Sequence, residues 1–159
     1  MLGRFSRWLR ILGYDVKYLN STPDDVLLKI AKEEDRALLT RDAELFRRAS
    51  TNGLKAIFVE GRSREEKLAD IAKRFNIKLE IDMAVSRCPV CNYLLQNVPS
   101  DAVKDKIPKG TLKHYEDFWL CDACGKVYWQ GRHWKKIMDT LNKANKLSEC
   151  TLLTQEEGM

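Results

Sequence analysis

The sequence predicts an α/β protein: a parallel sheet flanked by helices, followed by a small zinc ribbon. Two observations predict it. Residues 1–82 alternate helical and strand patterns, which implies parallel strands joined by helices. Beyond them stand two Cys-x-x-Cys pairs, Cys88/Cys91 and Cys121/Cys124, at the spacing of a tetrahedral metal site.

The elements follow in order. Arg4 to Leu12 sets Phe5, Trp8, Leu9 and Leu12 at helical spacing and runs into Gly13, a residue suited to a helix C-terminus. Val16 to Leu19 reads as a short strand. Thr22-Pro23-Asp24-Asp25 opens a helix to about Glu34, with Thr22 as N-cap, Pro23 first in the helix and Leu27, Leu28, Ile30 and Ala31 inward. Ala37 to Thr40 is a strand, Asp42 to Ala49 a helix and Ala56 to Val59 a strand. Ser63 to Phe75 is an amphipathic helix with Leu68, Ile71, Ala72 and Phe75 inward, and a strand near Ile77 to Ile81 completes the set.

In each cysteine pair the two intervening residues let one turn aim both thiolates at a single ion. Asn92 and Gly125 directly follow the second cysteines, where a left-handed backbone is accessible to them. The 29 residues from Asn92 to Leu120 must hold a hairpin or an inserted loop. A redox dithiol or two disulfides are the competing readings, and each fits less well, since a redox site needs one pair and nothing indicates export. Four thiolates leave no open position for water, so the zinc is structural and the chemistry lies elsewhere. Cys150 has no partner motif and reads as a free thiol.

The sequence divides into 1–82, 83–142 (ribbon and following helix) and a flexible tail, 143–159. Formal charge is +3 over residues 1–82, +5 over 83–147 and −3 over 148–159. A basic ribbon with Trp119, Tyr128, Trp129, His133 and Trp134 interleaved suits RNA, whose phosphates attract cations and whose bases stack on rings. For Trp119 and Tyr128 the better reading is the small core that a ribbon needs, which leaves His133 and Trp134 as the surface candidates. No hydrophobic run approaches a membrane span and no signal peptide opens the chain, so a cytoplasmic location is expected.

Parallel sheets bind ligands beyond the C-terminal ends of their strands, which selects Thr40-Arg41-Asp42. Alone, Asp42 reads as a helix cap, as do Asp24 and Asp25. Together, two acidic helix N-termini at one sheet edge form a carboxylate cluster suited to magnesium or manganese. Such an ion serves phosphodiester hydrolysis.

Several segments taken together resemble a known family. They are Met1-Leu2-Gly3-Arg4-Phe5-Ser6-Arg7-Trp8-Leu9-Arg10, Asp24-Asp25-Val26-Leu27-Leu28, Leu38-Leu39-Thr40-Arg41-Asp42, the cysteine pairs, and Val127-Tyr128-Trp129-Gln130-Gly131-Arg132-His133-Trp134. The chain resembles the Mut-seven C-terminal RNase domain family from Met1 to about Met138. The resemblance implies a PIN-like nuclease fold with an appended zinc ribbon, and a metal-dependent ribonuclease using Asp24, Asp42 and the adjacent Asp25. It implies Arg4, Arg7, Arg10 and Arg41 as basic positions facing RNA, and the ribbon adds Arg132, His133, Trp134, Lys135 and Lys136. Members of that family typically begin with a hydrophobic strand bearing an aspartate just before the Met-Leu-Gly-Arg segment, so a missing first strand and first carboxylate are expected. The alternative function is a catalytically weak RNA-binding module, associated with ribosomal or other structured RNA.

Overall fold

The computed structural model describes residues 2–156, with side chains through Cys150. Contacts divide the chain into two compact units: Met1–Gly3, Tyr18–Lys78 and Ala144–Met159 in one, Arg4–Lys17 and Leu79–Lys143 in the other. This grouping differs from the continuous division at residue 82, because residues 4–17 join the cysteine-bearing segment.

The first unit contains α2 (Asp24–Glu33), β1 (Leu38–Thr40), α3 (Ala43–Thr51), β2 (Ala56–Phe58) and α4 (Arg64–Phe75). β1 and β2 pair in parallel with Thr40 opposite Phe58, so α3 is the crossover of a β-α-β unit. Phe46 of α3 meets Phe58 of β2 edge to face, with ring centroids 6.0 Å apart. Ala31, Leu45, Ala49, Leu68, Ile71 and Ala72 are buried. The helix starts place the sheet edge: Asp42 caps α3, and Ser63 with Glu66 forms a capping box on α4. Phe75, expected inward, is exposed because it is the last residue of α4, before Asn76 turns into the left-handed region at φ 50°.

Three local expectations are corrected. Thr22 does not cap α2; the helix begins at Asp24 behind Pro23, whose carbonyl accepts from Val26 and Leu27, while the Thr22 hydroxyl turns back to Asn20. Val16 to Leu19 forms no strand, since the Val16 amide donates to Asn92 Oδ1 and its carbonyl accepts from Arg10. Ile77 to Ile81 is also irregular, although Leu79 is buried.

The second unit takes in α1 (Leu2–Ile11) from Arg4 onward, β3 (Gln96–Val98), α5 (Lys109–His114), β4 (Phe118–Leu120), β5 (Val127–Tyr128) and the first part of α6 (Arg132–Glu156). α1 ends in a Schellman motif: Tyr14 N–H donates to Leu9 O, Gly13 N–H donates to Arg10 O, and Gly13 has φ 96°. The strands form an antiparallel sheet in the order β3-β4-β5. The long spacer thus holds β3, a 3-10 turn at Ser100–Ala102 and α5. Successive side chains of a strand face opposite ways, and β4 uses this to serve two cores. Trp119 packs with Cys88, Leu95 and Cys121, whereas Phe118 packs with Val103 and Ile107. Trp119 is therefore a core residue, and Tyr128, half-buried, packs against its cluster. α6 continues through Glu156, so residues 143–156 are helical where a flexible tail was expected. Among the described residues, no helix is long and apolar enough to cross a membrane.

Candidate functional site

The cysteine pairs converge as their spacing requires. Their sulfur atoms all lie within 4.8 Å of one another. Cys88 Sγ is 3.7 Å from Cys124 Sγ, and Cys91 Sγ is 3.3 Å from Cys121 Sγ. A tetrahedral ion bound at about 2.3 Å sets its sulfurs about 3.8 Å apart, so this donor set fits a tetrahedral metal. No cysteine is disulfide-bonded, and Cys150 is a free, exposed thiol.

The two turns are built alike. Asn92 N–H returns to Cys88 O and Gly125 N–H to Cys121 O, with φ 71° at Asn92 and 72° at Gly125. Burial pushes the Cys88 thiol up, but hydrogen bonds from the Tyr128 hydroxyl and from the amides of Cys91 and Val90 outweigh it and bring the thiol to about 7. Burial raises Cys91, and it pushes Cys121 up to about 12. The Tyr128 hydroxyl lies 3.1 Å from Cys88 Sγ, a contact that the sequence reading did not anticipate.

At the sheet edge of the first unit, Asp42 follows β1 and accepts the Leu45 amide at 2.9 Å, while its own amide donates to the buried Thr40 hydroxyl at 3.0 Å. Asp24 and Asp25 open α2 and share one cation, Arg48 of α3: Arg48 Nη1 lies 3.5 Å from Asp24 Oδ2, and Nη2 donates to Asp25 Oδ1. The three aspartates therefore sit on helices that pack against the same strand. Among the described residues, however, only the four cysteines bring three or more potential ligand atoms close enough to share an ion. Arg48 is a residue that sequence reasoning missed; its place one turn beyond Glu44 on a solvated helix carries no local signal.

The family model described as Mut7-C RNAse domain matches residues 1–141. The chain belongs to this family. No curated protein and no solved structure matches it significantly.

Membership in the Mut7-C RNAse domain family directs attention to RNA, and the basic positions of this Mut7-C chain then fall into two groups. Arg4, Arg7, Arg41, Arg132, His133, Lys135 and Lys136 are exposed, and Trp134 is half-buried. Arg132 to Lys136 are the first five residues of α6, at the end where cations oppose the helix dipole and local stability does not explain them. Arg10 stands apart from them. It is buried at 7 % exposure, and its guanidinium donates to the carbonyls of Val16, Pro89 and Val90. A buried guanidinium requires such partners, and α1 delivers it to the first cysteine turn.

Proposed function

We propose that this Mut7-C chain is a metal-dependent ribonuclease that hydrolyses RNA phosphodiester bonds, with a structural zinc ion on Cys88, Cys91, Cys121 and Cys124. One observation carries the reading: in a member of an RNase domain family, Asp42 stands at the C-terminal end of β1 as the cap of α3, and Asp24 and Asp25 open α2, which packs against the same strand. Carboxylates are hard donors that suit magnesium or manganese, and Asp24, Asp25 and Asp42 are the residues to hold such an ion. When bound, it would supply Lewis acidity and an activated water. Arg48 keeps the Asp24 and Asp25 carboxylates turned toward α3 and balances their charge. Arg4, Arg7 and Arg41, with Arg132, His133, Trp134, Lys135 and Lys136, attract RNA phosphates and offer a ring for a base. The free thiols suit a reducing compartment such as the cytoplasm.

A second reading is favoured by the engagement of those carboxylates. Asp24 and Asp25 already neutralise Arg48, and Asp42 already caps α3, which is how an RNA-binding protein with weak cleavage, associated with ribosomal or other structured RNA, would use them. End-labelled single-stranded RNA incubated with the full chain, with and without magnesium or manganese, separates the two. The nuclease cuts only with metal and loses cleavage, but not RNA affinity, in the double variant Asp24→Asn/Asp25→Asn. Tight binding with no cleavage under any metal would leave the binding protein as the account.

A further inference from the structure

We infer that Arg10 is a positioning residue of the cysteine site, acting through the two carbonyls of the turn between Cys88 and Cys91, and that it makes α1 part of the metal-dependent unit. The argument starts from hydrogen bonds. Arg10 Nη1 donates to Pro89 O at 3.1 Å and to Val90 O at 3.0 Å. The Pro89 carbonyl shares its peptide with the Val90 amide, and the Val90 carbonyl shares its peptide with the Cys91 amide. Both peptides belong to the turn that carries the Cys88 and Cys91 thiols. Each peptide is thus held at its oxygen by the same cation, which fixes the turn that aims the two thiols. A donor that polarises a carbonyl strengthens the hydrogen bond made by the N–H of the same peptide.

The remaining valences of Arg10 fix its own position. Nε and Nη2 donate to Val16 O at 3.0 and 2.8 Å, so the guanidinium bridges the chain after α1 and the cysteine turn. Neighbouring bonds repeat the tie. Arg87 N–H donates to Arg10 O at 2.9 Å, Ser86 Oγ to Ile11 O at 2.7 Å, and Asn92 accepts from Val16 N–H while donating to Asp15 at 2.6 Å. The turn that carries Cys88 and Cys91 therefore has α1 as its support. A four-thiolate site holding a divalent ion has a net negative charge, which the buried guanidinium offsets across the turn.

This inference rests on the reading that the four cysteines hold an ion, and the experiment tests that first. Metal content of the purified full chain is measured, and a chain that binds no zinc overturns both. With zinc bound, its transfer to a chromogenic chelator is timed in wild type, Arg10→Met and Arg10→Lys. The methionine variant fills the volume without donors and should release zinc about 10- to 100-fold faster, the range for loss of a group that orients a ligand. The lysine variant, with charge but no fork to span the carbonyls, should fall between. In cobalt-loaded protein, the thiolate-to-metal charge-transfer band should shift in Arg10→Met, a change that a stability loss elsewhere would not produce. Hydrogen exchange of α1 should accelerate when zinc is stripped from wild type. Equal release rates and an unmoved cobalt band would overturn the inference. If Arg10→Met does not fold, Arg10→Lys decides by the same measures, and wild-type behaviour in it would likewise refute the role.

Discussion

Replacing Asp42 by Asn and by Ala separates its two possible duties. As a cap, Asp42 makes one side-chain bond, to the Leu45 amide at 2.9 Å, and the second bond at this corner uses its backbone amide and survives any substitution. Asn caps about as well as Asp, whereas Ala loses about 1 kcal/mol. In a chain of 159 residues, Asp42→Ala should therefore lower Tm by about 2–4 °C and Asp42→Asn by less than about 1 °C. Cleavage should follow charge and ignore the cap. Both variants remove a carboxylate proposed to hold the catalytic ion, so both should lose activity alike, and a thousandfold loss corresponds to about 4 kcal/mol of transition-state stabilisation. The assays are thermal melts and magnesium-dependent cleavage of labelled RNA, run on wild type and both variants. Cleavage by Asp42→Asn at the wild-type rate would refute a role in metal binding and leave Asp42 as a cap alone.

Other expectations concern the ribbon unit. Cys121→Ser should abolish stoichiometric zinc and unfold the cluster around Trp119, read by the loss of its near-ultraviolet signal, because metal binding in small sites is folding free energy. Zinc uptake near neutral pH should release protons, since burial holds the Cys91 and Cys121 thiols up and both must ionise to bind; titration calorimetry in buffers of different ionisation enthalpy measures them. Replacing Arg132, Lys135 and Lys136 together should lower the slope of log affinity for single-stranded RNA against log salt by about 2, the value for three phosphate contacts, and an unchanged slope would place the contact elsewhere. Asn92→Gly preserves the left-handed backbone but removes the bond to Val16, so the Val16 amide should exchange faster while zinc is retained.

Features whose causes lie within a few residues were legible in the sequence. The Cys-x-x-Cys turns, with Asn92 and Gly125 in the left-handed region, form as their spacing demands, because a turn is closed by its own backbone. The helix starts at Asp42 and Ser63 and the end at Gly13 follow from local capping, and the parallel pairing of β1 and β2 follows from a helix that separates two short apolar runs. Where a local signal competed with a distant partner, the reading failed. Val16 to Leu19 has strand composition, yet the Val16 hydrogen bonds go to Arg10 and to Asn92, which lies 76 positions away along the chain.

Tertiary structure alone distinguished one arginine from another. In sequence, Arg4, Arg7 and Arg10 recur at a spacing that looks like one charged helix face. The fold exposes the first two and buries the third against carbonyls 79 and 80 residues distant. Burial without partners costs a guanidinium far more than solvation does, so its fate depends on acceptors that composition and periodicity do not reveal. Arg48 makes the same point from the surface: its link to Asp24 and Asp25 exists because α2 and α3 pack beside β1, an arrangement that no window of sequence contains. Ligand identity was written in the spacing of cysteines, while the support of the ligands was decided by which segments the folded chain brought within hydrogen-bond reach.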